Sequence, residues 1–337
     1  MKKKILIFIL FFISLFSLPT QSQSEDHPRD VTYFLNASIE ERYFSGSTIY
    51  HISFDDTWAN GGHGESRLEF PLDNFFIGAA VQVGKRYKKN PLQAEDLLTL
   101  TYSRGLRGVS GLMEDSDWIE NDSAFGMPSN SGRDIYTTSE NYLGGAEFFD
   151  LNYLHNFWIN DRWSVSPIIG YTYYWFSHSA DGCEGTAWGV QVSCVDAKVI
   201  DYELRIDMPY FGIGTDIYFG QSRDILLNLT LNYSSWVRGE DKDIHYYPDW
   251  DLANPGENTD KISEGSTYGS GARVRGKCIW RIENNIYLEF GFEFESVKTS
   301  GEQLQKNYLN GVYTGGGFAD DKILASLWTS FIGISLK

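Results

Sequence analysis

Ile286-Tyr287-Leu288-Glu289-Phe290-Gly291-Phe292-Glu293-Phe294-Glu295 is the stretch on which the fold turns. Successive side chains of a strand point to opposite faces, so one face here carries Ile286, Leu288, Phe290, Phe292 and Phe294. The other carries Glu289, Glu293 and Glu295. Carboxylates facing a lipid bilayer would be costly, so in a membrane barrel the strict phase fixes the acids inside. The strand before it is complementary: Arg273, Arg275, Lys277 and Arg281 lie in the phase opposite Val274 and Trp280. A cross-strand ionic ladder with the three glutamates is expected.

Working outward, Leu227-Asn228-Leu229-Thr230-Leu231-Asn232-Tyr233-Ser234 alternates in the same way. Aromatic residues make up 16% of the chain and glycines number 33, which suits strands between lipid and a wet lumen. The N-terminus reads as an export signal over residues 1–24: Lys2 to Lys4, an apolar run from Ile5 to Leu18, then small residues for cleavage. After it no run of about 18 apolar residues remains, so no membrane helix is expected. Residues 25–337 read as a single domain, since no repeat, low-complexity tract or linker divides them.

The fold expected is all-β, an antiparallel transmembrane β-barrel of about ten strands with long extracellular loops, in the outer membrane. Short connections at Ile159 to Arg162, Gln221 to Asp224 and Glu283 to Asn285 alternate with long polar ones. The long ones lie near Val109 to Asn141, His178 to Ala197, Gly239 to Glu264 and Ser300 to Asp320. Pro71, Pro167 and Pro209 fall inside strands, where a missing N–H predicts bulges or breaks.

The formal net charge is −17, and loss of Lys2, Lys3 and Lys4 takes it to about −20. That argues against nucleic acid and favours cationic partners. Cys183 and Cys194 bracket a short Gly-containing loop and are candidates for a disulfide in an oxidising compartment; Cys278 reads as a small apolar residue. No metal or cofactor is expected. Asp249, Asp251, Glu257 and Asp260 supply oxygens but fit no defined calcium loop, and the six histidines have no paired ligand spacing.

Two acidic segments carry the chemistry: Met113-Glu114-Asp115-Ser116-Asp117-Trp118 and Asp241-Lys242-Asp243-Ile244-His245-Tyr246. By strand count both belong to loops on one rim, after the third and seventh strands. Asp243 and His245 are two apart, so on an extended chain the carboxylate can orient the imidazole, which becomes a general base for water. Asp115 and Asp117 share that spacing and would position water and substrate from the opposite side.

These segments resemble the omptins, outer-membrane aspartyl-type proteases on ten-stranded barrels. The likeness extends through Glu147-Phe148-Phe149-Asp150-Leu151-Asn152, Gly170-Tyr171, Met208-Pro209-Tyr210-Phe211-Gly212 and Ser234-Ser235-Trp236-Val237. The resemblance implies that Asp243 and His245 activate water opposite Asp115 and Asp117. It implies a substrate-binding place for Asp241, an acid of the cleft floor, and for Tyr50, which stands where the family has a glutamate. It also implies an outer wall that binds lipopolysaccharide as an activating lipid, with Arg205 and Tyr171 on it and Trp175 where an arginine is expected. Peptide or protein substrates and contact with outer-membrane lipid follow; a monomer is expected. The alternative is a non-proteolytic surface receptor or adhesin on the same fold. A porin is disfavoured, since inward Arg, Glu and Tyr would fill so small a lumen.

Overall fold

The computed structural model describes residues 31–56, 62–87, 94–119, 133–220, 223–247, 259–283 and 285–336. The signal over residues 1–24, and Asp249, Asp251 and Glu257, lie outside them.

The elements are β1 (Val31–Asp56), β2 (Gly62–Pro71), β3 (Asn74–Tyr87), β4 (Ala94–Gly105), β5 (Gly108–Ile119), β6 (Ile135–His155), β7 (Phe157–Asn160), β8 (Trp163–Ala187), β9 (Val190–Phe219), β10 (Ile225–Tyr247), β11 (Thr259–Glu283), β12 (Ile286–Leu309) and β13 (Val312–Leu336). These thirteen segments form ten staves, because three staves are each broken once. β1 pairs with β2 over Ser47–Asp56 and with β3 over Val31–Phe44, so β2 and β3 run on in one line. β4 with β5, and β6 with β7, do the same. Every pairing is antiparallel, and β13 closes on β1 from Ala37↔Leu336 to Ser53↔Asp320. A closed ring satisfies the backbone without an open edge, as a bilayer demands.

The breaks have local causes. At Pro71 the ladder stops, and the Pro71 carbonyl accepts instead from Asn141 Nδ2 and Ser110 Oγ, both at 3.1 Å. Pro209 lies beside a bulge, where the β9–β10 register shifts between Tyr233 and Arg238. Pro167 keeps its register with Ile213; the break falls on the neighbouring stave, at Asn156 between β6 and β7.

Charged residues are inside and apolar ones outside. On β12, Phe290 and Phe292 are 45% and 52% exposed, while Glu289, Glu293 and Glu295 are 2% exposed. The predicted ladder forms within. Arg273 Nη2 lies 2.6 Å from Asp150 and Nη1 3.9 Å from both Glu293 and Glu295. Lys277 pairs with Glu289, and Arg275 Nε stands 3.8 Å from Glu293. Arg281 departs from the expected ladder and pairs with Asp224 at the barrel end. Above this layer Phe44, Phe70, Phe148, Tyr174, Phe176 and Tyr202 form an apolar core inside the barrel.

The long extracellular loops are corrected by the structure: most of that sequence is strand. A strand needs about ten residues to cross a bilayer, yet β9 has 30 and β12 has 24. β8 turns into β9 at Trp188-Gly189, and β12 into β13 at Asn310-Gly311, each with φ positive at both positions. Such two-residue turns match the twist of a hairpin. Above the membrane both barrel faces can meet water, so a paired strand there has the polar composition of a loop. Near Val109 to Asn141 and Gly239 to Glu264 the flanks are likewise strand, with residues 120–132 and 248–258 outside the described ones. Cys183 and Cys194 are bonded across the β8–β9 hairpin, Cα atoms 4.7 Å apart, and Cys278 is free.

Candidate active site

The site is built on strands, not on loops as the sequence suggested. Asp115 and Asp117 belong to β5, opposite Leu68 and Ser66 of β2. Asp241, Asp243 and His245 belong to β10, opposite Gly265, Ser263 and Lys261 of β11. β5 is on the third stave and β10 on the seventh, and in a ring of ten these lie nearly across from each other. Residues two apart on a strand share a face, so each wall presents its pair inward.

His245 Nδ1 stands 2.8 Å from Asp243 Oδ2. Asp243 is wholly buried and His245 is 8% exposed, so the carboxylate fixes the ring while one edge stays open to the cleft. On the opposite wall, burial pushes the Asp115 carboxyl well above its usual range, with Asp117 the next cause and Asp243 contributing. Burial also raises Asp117, opposed by a hydrogen bond from Ser66 and by the charges of Lys261 and His245. These cross-cleft interactions make the four residues one electrostatic unit. Two carboxyls that repel each other in a partly dry cleft favour holding a proton between them, which is the form able to donate toward a developing oxyanion.

Tyr50 lies beneath them. It is buried, it donates to Gln303 Oε1, and its ring centroid is 5.6 Å from that of Tyr202, which stacks on Phe70 at 4.4 Å. These aromatics make an apolar floor under the acids. Asp241 is 5% exposed beside them.

Sequence reasoning missed three residues of this cleft. Ser66 and Lys261 come from strands that flank the acidic segments only in space. Asp321, on β13, lies against Asp241; burial and Asp321 raise Asp241 well above its usual range. A signal was present in the alternation Asp321, Ile323, Ala325, Leu327, which carries the inward phase of β13 past the apolar band.

On the outer wall, Arg205 faces outward and pairs with Glu203, which also accepts from Trp175 Nε1 at 2.9 Å. Tyr171 donates to Asp207. The guanidinium expected to meet lipid is therefore already held by a carboxylate. Among the described residues, no group of His, Cys, Asp and Glu is arranged to hold a metal ion.

With this arrangement established, comparison with known proteins assigns the chain. The sequence profile of the omptin family matches residues 65–308. The chain belongs to the omptin family. The match spans both walls of the cleft, and the omptin barrel is a barrel of the outer membrane. Among solved structures, this omptin resembles the outer membrane protease OmpT from Escherichia coli with a TM-score of 0.67 and 18% identity, covering 93% of this chain and 99% of that one. The translocator domain of the autotransporter NalP from Neisseria meningitidis gives a TM-score of 0.31 at 9% identity, covering 100% and 98%. The transport unit of the autotransporter AIDA-I from Escherichia coli gives 0.26 at 9%, covering 96% and 94%. No curated protein sequence matches.

Proposed function

We propose that this omptin is an aspartic-type outer-membrane endopeptidase that cleaves peptides or exposed protein loops, cationic ones above all, with a water molecule as nucleophile. The observation that carries this reading is the meeting of the Asp243–His245 pair with Asp115 and Asp117 from the opposite wall. His245 takes a proton from water as the oxygen attacks the peptide carbonyl, and Asp243 holds the imidazole in orientation. The carbonyl oxygen gains charge on the side of Asp115 and Asp117, where a shared proton can meet it. The protonated imidazole then delivers its proton to the leaving amine. No covalent enzyme intermediate is needed, and neither metal nor cofactor enters this mechanism.

Lipopolysaccharide is the proposed activating lipid, lying against the outward face that carries Tyr171 and Arg205. Because Glu203 already engages Arg205, a lipid phosphate must compete with that carboxylate, and activation should be less steep than an unpaired arginine pair would give. The test is direct. The mature chain is refolded in detergent with and without lipopolysaccharide and incubated with a mixed peptide library, alongside His245→Ala and Asp117→Ala. Cleavage by wild type that is lost in both variants is expected; no cleavage by wild type in either condition overturns the proposal and leaves the receptor reading.

A further inference from the structure

The cleft floor does not hold one acid alone. Asp321 reaches it from β13, where Ile323 pairs with Tyr50 and Asp321 with Ile52 of β1. Asp321 is wholly buried and Asp241 is 5% exposed. Between them the inward positions of the two intervening strands are glycines: Gly265 on β11, opposite Asp241, and Gly301 on β12, opposite Asp321. A Cβ at Gly265 would stand 2.3 Å from Asp241 Oδ1 and 2.5 Å from Asp321 Oδ2. The missing side chain is thus what lets the two carboxylates converge.

A second observation points to a ligand there. The Tyr202 hydroxyl is buried with no hydrogen-bond partner, and the charges it feels most are those of Asp241 and Asp321. The amide nitrogen of Gln303, across from Gly265, is buried and unpartnered too. Asp241 and Asp321 share a hydrogen bond with each other and Asp321 takes the backbone N–H of Lys322, but no other described side chain donates to the pair. Buried polar atoms are normally paired, so a group of this density, with acceptors predominating, is matched to a multivalent donor that is itself cationic.

We infer that Asp321 is a specificity-determining residue of this omptin, forming with Asp241 the receptor for the guanidinium or ammonium of a basic substrate residue. The inference rests on the protease reading above. Asp321 adds a second charge to that of Asp241, and Tyr50 supplies an apolar wall for the aliphatic stem of the guest side chain. Burial pushes Asp321 up to about 6, and burial together with Asp321 raises Asp241 well above the usual carboxylate range. The groups facing the pair are Tyr50 on β1, Tyr202 on β9, Asp243 on β10, Ser263 and Gly265 on β11 and Gln303 on β12, while the charge of Lys261, the next inward residue of β11, falls on Asp115 and Asp117. No charge of a cation is prominent at Asp241 or Asp321, so a guest cation displaces a proton, and its affinity strengthens as pH rises through about 6.

The experiment uses two peptides identical except for arginine or citrulline at the cleaved position, with wild type, Asp321→Asn and Asp241→Asn refolded in detergent and assayed with lipopolysaccharide present. Wild type should prefer arginine by roughly 100-fold in kcat/KM, and each variant should cut that ratio by about tenfold or more. In parallel, agmatine is titrated by calorimetry into His245→Ala and into His245→Ala/Asp321→Asn, the second binding at least about tenfold more weakly. A ratio unchanged by Asp321→Asn but collapsed by Asp241→Asn overturns the role of Asp321. Agmatine bound with no peptide cleaved by wild type keeps the receptor and overturns the protease reading. Cleavage with no preference for arginine, and no agmatine bound, overturns the receptor and keeps the protease. If Asp321→Asn does not fold, Asp321→Ser is read in its place: a fall of about tenfold in the arginine preference is expected, and an unchanged preference overturns the role of Asp321.

Discussion

Two levels of the barrel interior handle buried acids in opposite ways. In the membrane layer each carboxylate meets a cation: Asp150, Glu293 and Glu295 surround Arg273, Glu289 meets Lys277, and Glu40 lies 2.8 Å from Arg42. In the cleft Asp115 stands against Asp117 and Asp241 against Asp321, and the described cation whose charge reaches Asp115 and Asp117 most strongly is Lys261. Pairing makes the lower layer a structural plug with its charge cancelled. Leaving acids against acids makes the upper layer costly to fold and ready to bind, because a guest or a proton is needed to relieve it. The same residue type is thus scaffold at one height and receptor at another.

The largest effect should come from removing the group that turns the upper layer into a catalyst. His245→Ala is expected to lower kcat by about 10³-fold or more while leaving the unfolding midpoint in urea near that of wild type. Loss of activity accompanied by a collapse in stability would mean that His245 is scaffold.

The lower layer should respond in the reverse sense. Arg273→Ala leaves Asp150 and two glutamates buried without their cation and should cost about 3–5 kcal/mol in urea unfolding. Arg275→Ala should cost less, since Arg275 is partly exposed and stands 3.8 Å from its acid. No loss from either variant would contradict the plug.

Above both layers, the Cys183–Cys194 bond ties the β8–β9 hairpin. Replacing both by serine should cost about 2–3 kcal/mol, chiefly by freeing the unfolded chain, and mass analysis before and after reduction should show two hydrogens gained.

The smallest effect sharpens the contrast most. Asp241 and Asp321 bind protons more tightly folded than unfolded, so the folded cleft is favoured at acidic pH. That stability is lost as pH rises from the ordinary carboxylate range near 4 through about 6 and beyond. Asp321→Asn should remove part of this slope and be more stable than wild type by about 1–3 kcal/mol at pH 8. An unchanged slope would mean that the pair is solvated.

The barrel was legible in sequence because lipid imposes a strict code: in Ile286–Glu295 every second residue must be apolar, and the glutamates reveal the inside. Above the lipid the code lapses. Residues such as Gln303 and Gln305 lie in a paired strand but read as loop, since water tolerates polar groups on either face. The four candidate catalytic residues could be found because each pair is contiguous in sequence. Asp321 could not be found that way. Its proximity to Tyr50 depends on ring closure between the first and last strands, and its proximity to Asp241 on Gly265, one inconspicuous glycine among 33.

The continuation of the strands past the lipid also sets a height. On β10 the outward position Trp236 is 63% exposed and is followed on that face by Arg238, Glu240 and Lys242, and His245 lies nine positions beyond Trp236. At about 3.3 Å per residue on a strand tilted by about 40°, the imidazole is carried roughly 20 Å above the lipid edge. The strands therefore act as a fixed gauge: chain lying within the headgroups cannot reach the cleft, and segments that hang freely in the medium, or stand well clear of a neighbouring surface, can.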